Sequence, residues 1–507
     1  MKKILRLFLI VTTLPVFYSQ LGCSKFLDRK PLGQAINGDI AQGGVQSQVF
    51  GLYSSTRLGG MTGLAFLTMH AARADDDYNS TAGDGSDQQD IVDNFKYVKD
   101  HWSLNNLWDD HFSFIEQATG IVHDVDSAFA HDPASIVNEA EARFLRAYAY
   151  FDLVRDYGEV PIFTKKVYTP ADAIVPKSSV SDVYAFIDAD LQYAIQNLPE
   201  TWSTQYLGRA TKGAALGLQA KTYLYRQQWP NALTSAQMVI NSGVYNLDPS
   251  YAHEFTEDAE NGSESLFEIQ NYENANGSVG SDGSYSNGLP DYMGIRGAGA
   301  WNLGWGWNLP TATLVNTAYE TNDPRKGVTI LASGQRDDYF GPPTFGATLD
   351  ASGTPYWDKK VYTDPARRAA TKDNFSNWLN TPIQRYADIL LIAAEASNES
   401  GNSTDALKYL EIVRARARAG NAAILPPVVT TDQNALRTAI KKERRVEFAM
   451  EFDRFYDLVR WTPATDGIDA PTVLGPLGYK LINKYFPIPQ EAIDKSNGVL
   501  VQNPDYP

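Results

Sequence analysis

The chain has 507 residues, of which 43% are hydrophobic and 21% are charged, and this composition excludes a mostly disordered protein. Its formal net charge of −16 would repel phosphate backbones, which argues against a nucleic-acid partner. Aromatic residues make up 12% of the chain, an excess that suits a protein presenting rings at its surface as well as burying them.

Residues 1–22, "MKKILRLFLIVTTLPVFYSQLG", predict a secretory signal peptide, because basic residues precede an apolar run too short to span a membrane permanently. Cys23 follows and is the chain's one cysteine, which excludes a disulfide within the chain and a multi-cysteine zinc site. Its position indicates a bacterial lipobox with an acylated thiol, in which Gln20 replaces the usual leucine. The alternative is an ordinary signal peptide followed by a chance cysteine.

Helical periodicity then predicts tetratricopeptide-like helix pairs. Small, large and small residues recur at the spacing typical of the second helix of such a repeat: Ala140, Phe144 and Ala147, then Ala387, Leu391 and Ala394. The segments that begin at Trp108 and Trp229 have the spacing of a first helix. We therefore expect a mostly α fold of four degenerate helix pairs with a few short strands.

Between about residues 249 and 382 the helical periodicity fails. Residues 271–300 hold seven glycines, too many for regular structure, and "SLFEIQ" just before them predicts a short strand. A long irregular insertion in a helical frame more often carries function than packing. We divide the mature chain into a helical part, residues 23–248, and a part with a loop-rich ligand face, residues 249–507, which together form one compact unit.

The segment 441–461, "KKERRVEFAMEFDRFYDLVRW", alternates carboxylates with guanidinium groups at helical spacing. Its charged residues are Glu443, Glu447 and Glu451, interleaved with Arg444, Arg445 and Arg454. This pattern predicts an ion-pair network that fixes helix packing, and not a ligand site.

Seven stretches, in order along the mature chain, together resemble the SusD/RagB family: "CSKFLDRKP", "RFLRAYAYFDLVRDYGEVPI", "GWNLPTATLVNTAYETNDPR", "RYADILLIAAEASNE", "ERRVEFAMEFDRFYDLVRW", "YFPIPQEAI" and "VLVQNPDYP". The resemblance implies a surface-exposed, lipid-anchored glycan-binding protein of the outer membrane, with four tetratricopeptide-like helix pairs. It also implies two partners, an oligosaccharide or polysaccharide ligand and a TonB-dependent (SusC-like) outer-membrane barrel to which the glycan is handed.

The stretch "AWNLGWGWNLP", residues 300–310, supplies the groups that a sugar site needs, flat aromatic rings beside polar side chains. Trp301 follows the glycine-rich run and is our preferred stacking platform. Trp305 and Trp307 are further candidates, with the alternative that they brace the following helix. Tyr292 and Arg296 belong to the same loop.

A second candidate cluster follows from the resemblance. In the starch-binding founder of the family, an acidic loop near this position contacts the glycan, as does a tryptophan followed three residues later by asparagine. Trp102 and Asn105 match that spacing, and the loop here holds Arg73, Asp75, Asp76, Asp77 and Tyr78. The alternative for the aspartates is a solvated loop, and Trp108 fits the helix core.

No local motif indicates catalysis. The six histidines lack metal-site spacing, no two carboxylates are singled out, and nucleophile-elbow, P-loop and dinucleotide motifs are missing from the sequence. We therefore expect no enzyme activity, no resident metal and no cofactor. Calcium is the one alternative, at Asp75–Asp77 or "DGSDQQD", residues 84–90, which are rich in oxygen ligands but lack EF-hand spacing.

The rival function is a tetratricopeptide-type scaffold that binds a partner protein and no sugar. An extracellular glycosidase has no support in the sequence.

Overall fold

The computed structural model describes residues 44–78, 91–128, 132–272, 288–296, 304–334, 355–364, 367 and 377–506. The predicted signal peptide and Cys23 lie outside these residues. Helices α1 to α15 span Val45–Ser55, Leu64–His70, Trp102–Ala128, Pro133–Tyr157, Val180–Asn197, Lys212–Tyr225, Trp229–Ser242, Leu289–Met293, Arg325–Thr329, Tyr386–Glu399, Ser403–Ala417, Gln433–Glu447, Arg454–Arg460, Ala470–Leu474 and Gln490–Lys495. Strands β1 to β8 span Asp77–Tyr78, Val160–Pro161, Lys177–Ser178, Ser265–Ile269, Leu309–Pro310, Ile330–Ala332, Tyr356–Asp358 and Thr381–Arg385.

The long helices pack on one another in chain order, from α3 through α4, α5, α6 and α7 to α10, α11 and α12. Helices α7 and α10 are direct neighbours although residues 243–385 separate them in the sequence. The predicted mostly helical fold with tetratricopeptide-like pairing is confirmed. The loop-rich insertion therefore lies in the sequence between α7 and α10, two helices that pack against each other.

Side-chain caps define where several of these helices begin. Asp132 accepts hydrogen bonds from the backbone N–H groups of Ala134 and Ser135, and Pro133 occupies the first position of α4, where its missing N–H costs little. Ser179, Thr211 and Asp432 cap α5, α6 and α12 in the same way. Each cap satisfies a backbone donor that would otherwise have no intrahelical partner.

The core of the stack includes the residues that the periodicity selected. Phe144 is 2% exposed and Leu391 is completely buried, and the small residues flanking them let neighbouring helices approach closely. Trp108, expected in the core, is 5% exposed. The ring of Phe144 meets that of Phe267 on β4 edge to face at 5.0 Å, so the same core extends from the stack into the insertion.

The described strands form antiparallel pairs of two: β1 with β5, β2 with β3, β4 with β8, and β6 with β7. Strand β4 covers most of the predicted "SLFEIQ" strand and pairs with β8 at the start of α10. The pair β1–β5 joins Tyr78 to Leu309, so it links the acidic segment to the chain that directly follows the tryptophans.

A buried ion-pair network surrounds α12 and confirms the structural interpretation of residues 441–461. Glu447 is completely buried and contacts the guanidinium groups of Arg325, Arg385 and Arg416. The neighbouring Glu443 pairs with Arg325 and with Arg414. These arginines come from separate elements, so the network ties α9, β8 and α11 to α12.

In the described part of the chain, no helix combines the length and the apolarity that crossing a membrane requires.

Candidate functional site

Three of the predicted aromatic residues form one cluster. The rings of Trp305 and Trp307 meet edge to face with centroids 4.7 Å apart. Tyr292 lies nearly parallel to Trp307 at 5.9 Å and edge-on to Trp305 at 5.4 Å. Trp305 is 38% exposed, whereas Tyr292 and Trp307 are half-buried. The cluster is therefore a supported platform, with two rings holding a third at the surface.

Backbone hydrogen bonds hold this platform together. The N–H of Trp305 donates to the carbonyl of Asp291 and the N–H of Trp307 to that of Tyr292, each at 2.8 Å. Two glycines permit this close pairing, because a Cβ on Gly304 would lie 2.4 Å from the Asp291 carbonyl oxygen and Gly306 has a φ of +70°. The glycines in "GWGW" are therefore required because this segment lies against the backbone of residues 291–295. Composition alone did not reveal this requirement.

Polar groups border the rings. Arg296 lies beside the platform, since a Cβ on Gly306 would be 2.9 Å from the Cβ of Arg296. Burial raises the pKa of Tyr292, with a smaller contribution from Asp291, so its hydroxyl stays protonated and able to donate. Apolar ring faces, a phenol and a neighbouring arginine supply the kinds of group that match the two surfaces of a pyranose, its C–H face and its hydroxyl rim. Trp301, our preferred platform, lies outside the described residues.

Arg73 is placed differently from our expectation of a ligand contact. Its side chain is completely buried, with the guanidinium 3.9 Å from the ring centroid of Phe455 and 3.8 Å from that of Phe486. It donates to a carboxylate oxygen of Asp156 at 2.8 Å and to the hydroxyl of Tyr456 at 3.0 Å. Arg73 is therefore part of the core, because its charge is matched by a carboxylate inside the protein.

The three aspartates of the predicted acidic loop are also turned into the protein, which corrects both the ligand-contact and the solvated-loop expectations. Asp75 contacts Arg445 and Arg454, and Asp76, 1% exposed, contacts Arg445. Asp77 is 6% exposed and accepts a hydrogen bond from the side-chain amide of Asn308 at 3.1 Å. These carboxylates therefore hold their segment to Arg445, Arg454 and Asn308, and their contacts lie within the protein. The backbone of Tyr78 pairs with that of Leu309.

Trp102 and Asn105 lie on another element, at the start of α3. Trp102 is half-buried, and its ring is nearly parallel to that of His101 with centroids 6.0 Å apart. Asn105 follows three residues later and therefore shares a face of the helix with Trp102. Its Oδ1 is buried and accepts no hydrogen bond within the described structure. A glycan contact by either residue stays a prediction.

The described residues include no group of three or more His, Cys, Asp or Glu side chains arranged to hold a metal ion. The segment 84–90, one of the two places considered for calcium, lies outside them. At the other place, Asp75 and Asp76 are engaged by arginines.

Comparison with known families accounts for both halves of the chain. A model described as "SusD family" matches residues 263–506, and a model described as "Starch-binding associating with outer membrane" matches residues 51–224. The chain belongs to the SusD/RagB family. Among relatives of this SusD-family chain, SusD-like protein P2 of Formosa agariphila is 28% identical over 98% of this chain and 99% of its own length. A SusD-like protein of Bacteroides ovatus is 29% identical over 71% of this chain and 66% of its own length.

Solved structures share the fold of the SusD-family protein. One described as "Laminarin binding SusD-like protein" is 27% identical, with a TM-score of 0.75, over 91% of this chain and 99% of its own. Surface glycan-binding protein A from Bacteroides thetaiotaomicron, in complex with laminarihexaose, has a TM-score of 0.77 at 23% identity, over 91% of this chain and 99% of its own, and shows the fold alone.

Proposed function

We propose that this SusD-family protein captures an oligosaccharide at the cell surface by stacking a sugar ring on Trp305. The observation that carries the proposal is the cluster of Tyr292, Trp305 and Trp307, in which two rings support a third that is 38% exposed. A relative of similar fold is described as binding laminarin, which supports a glucan as the first ligand to test.

The proposed function is binding alone, and no covalent bond of the glycan is broken. The apolar face of a pyranose lies on the indole of Trp305, and Arg296 and Tyr292 donate hydrogen bonds to the hydroxyl rim. Asp75 and Asp77 contact Arg445, Arg454 and Asn308, and Asn308 directly follows Trp307 in the chain. The protein then hands the unhydrolysed glycan to a TonB-dependent outer-membrane transporter.

Substitution of the exposed ring tests the proposal. We expect Trp305→Ala to lower the affinity for laminarihexaose about tenfold. Base–aromatic stacking, a comparable geometry, contributes about 1–3 kcal/mol, and we expect an exposed sugar platform to contribute the lower part of that range. Isothermal titration calorimetry measures the affinity, and a thermal melt of each variant verifies the fold. Tyr168→Ala is the matched control, since Tyr168 is 69% exposed and lies outside the cluster.

Two results would contradict the stacking proposal. If Trp305→Ala bound laminarihexaose as tightly as the unmodified protein, Trp305 would not be part of the glycan site. Failure of the unmodified protein to bind any member of a glycan array, together with recovery of a partner protein from membranes, would favour the scaffold function instead.

We further propose that Cys23 anchors the mature protein to the outer membrane through its acylated thiol. Cys23→Ala should move the protein from the membrane fraction to the soluble fraction, because acyl chains supply the hydrophobic attachment. The experiment uses cells that lack the partner transporter, so that protein contacts do not retain the variant. Unchanged membrane association in those cells would refute the lipid anchor.

A further inference from the structure

A cleft separate from the platform lies between helices from both parts of the chain. It lies where the C-terminal ends of α4 and α6 meet the start of α5, with α13 and residues 484–485 closing the remaining side. Its volume is about 520 Å³, within the range of small-ligand sites. None of its lining residues belongs to the Tyr292–Trp305–Trp307 cluster.

The side chains that line this cleft differ in charge from the chain as a whole. Four cationic side chains line it, and no Asp or Glu is among its described lining residues: Arg155, Arg226, Arg460 and Lys484 are the cations. The protein as a whole has a formal charge of −16. Carboxylates outside the lining already pair with the three arginines. An anionic ligand would therefore be attracted mainly by Lys484.

Two of the guanidinium groups are fixed from behind, outside the cleft. Arg226 makes two hydrogen bonds of 2.7 Å to the carboxylate of Asp188, and Arg460 is held in the same bidentate way by Glu395. These bidentate contacts fix the orientation of the two guanidinium planes, and the carboxylates that make them are not among the residues lining the cleft. Lys484 differs, because its side chain is exposed and its ammonium lies over the ring of Tyr485 with no ion-pair partner in the described structure.

A buried donor also remains unused at the cleft wall. The Nε–H of Arg155 is buried and donates no hydrogen bond within the described residues, although its other nitrogens contact Asp152 and Tyr225. A buried polar group without a partner is rare in folded proteins. At the wall of a polar cleft, this group could donate to an oxygen atom of a bound ligand.

Aromatic rings and amides supply the rest of the lining. Tyr184, Tyr225, Tyr456 and Tyr485 contribute phenol rings, and Gln227 and Gln228 contribute amides at the solvent-exposed rim. The guanidinium carbon of Arg226 lies 4.7 Å from the ring centroid of Tyr184, so charge and ring form one wall. Flat rings, amides and fixed cations suit a sugar with an anionic substituent better than an extended acidic peptide, whose backbone offers no flat apolar face.

We propose that this cleft is a second saccharide site, which binds a short anionic sugar bearing a carboxylate or sulfate. The anionic group lies between Lys484 and Arg155, and the sugar ring lies against the tyrosines. The site is independent of the Trp305 platform, so either one can fail without affecting the other.

Digalacturonate and galactobiose sulfate serve as the carboxylate and sulfate probes, and neutral galactobiose is the reference in calorimetric titrations of the full mature protein. We expect at least one anionic probe to bind more tightly than galactobiose. Lys484→Gln should lower the affinity for that probe about two- to fivefold, the range of an exposed charge pair, and Lys484→Arg should restore it. Trp305→Ala should leave this binding unchanged.

Lys408→Gln is the matched control. Both lysines are exposed, and each ammonium lies over the ring of the following tyrosine, at 5.0 Å for Lys484 and 5.4 Å for Lys408. The proposal is overturned if neither anionic probe binds more tightly than galactobiose, or if Lys408→Gln weakens binding as much as Lys484→Gln. It is also overturned if tetraglutamate binds as tightly as the anionic sugars, because the cleft would then recognise acidic peptides.

Discussion

At the scale of single residues, Arg73 and Asp156 show how a charged pair becomes part of the core. Burial alone would raise the pKa of Asp156, but His70 and Arg73 lower it further than burial raises it, so the carboxyl stays ionised. His70 and Tyr456 complete its contacts, at 2.8 and 2.5 Å. Removal of one partner from such a group leaves an uncompensated charge in the interior.

We therefore expect Arg73→Ala to lower the free energy of unfolding by about 3–5 kcal/mol, the cost of breaking a buried ion pair. Urea denaturation at pH 7 measures this change. Arg437→Ala is the control, because Arg437 is 25% exposed and its pairing with Glu399 should contribute less than about 1 kcal/mol. If Arg73→Ala were as stable as the unmodified protein but had lost its affinity for glycan, Arg73 would be a ligand contact and not a core residue.

At the scale of secondary-structure elements, α12 is held by its charges as much as by its apolar face. Burial raises the pKa of Glu447, but Arg416, Arg385 and Arg325 lower it further, to about 2, from an ordinary value of 4.5. Because the folded pKa lies below that of the unfolded chain, the resulting stability is complete above about pH 4.5. It declines as the pH falls from there toward 2.

This linkage predicts that the difference in stability between Glu447→Gln and the unmodified protein depends on pH. Glu447→Gln should destabilise the fold at pH 7 by about 3 kcal/mol, because three guanidinium groups lose their shared carboxylate. The difference from the unmodified protein should shrink as the pH falls below 4.5. Urea denaturation at pH 7, 5, 4 and 3 measures it, with Glu411→Gln as the control, since Glu411 is 37% exposed in its pair with Arg418. A difference that stays constant over this range would show that Glu447 does not titrate as stated.

At the scale of the whole molecule, contacts cross the sequence boundary that we placed at residue 248. Phe144 of α4 packs on Phe267 of β4, and Lys221 of α6 pairs with Asp388 of α10. The buried apolar residues of one cluster run from Val45 to Leu500. This continuity implies that the helical stack and the base of the insertion lose their structure together.

Leu391→Ala tests this cooperativity, because Leu391 is completely buried in α10, a helix that packs on α6 and α7 of the other part. The substitution should lower the free energy of unfolding by about 2–5 kcal/mol, the usual range for a buried leucine. Far-ultraviolet circular dichroism and tryptophan fluorescence should shift together to one lower midpoint. Leu477→Ala is the control, since Leu477 is 44% exposed and should leave the midpoint unchanged. Two separate transitions would show that the two parts unfold independently.

The sequence by itself determined the features that depend on local spacing. Periodicity within about twenty residues identified the core faces around Phe144 and Leu391, and the alternating charges of residues 441–461 indicated their structural role. Composition also located the insertion, because a glycine-rich stretch cannot continue a helix.

Only the tertiary structure decided which polar and aromatic residues face a ligand. The carboxylate of Asp75 reads as a solvent-facing group until Arg445, 370 residues further along the chain, is brought to it by folding. Tyr292, Trp305 and Trp307 likewise become one platform only when two loop segments pair through Gly304 and Gly306. Local patterns report which side of a helix is apolar, whereas the partner of a buried charge or a stacked ring depends on contacts between distant segments, which no short window of sequence contains.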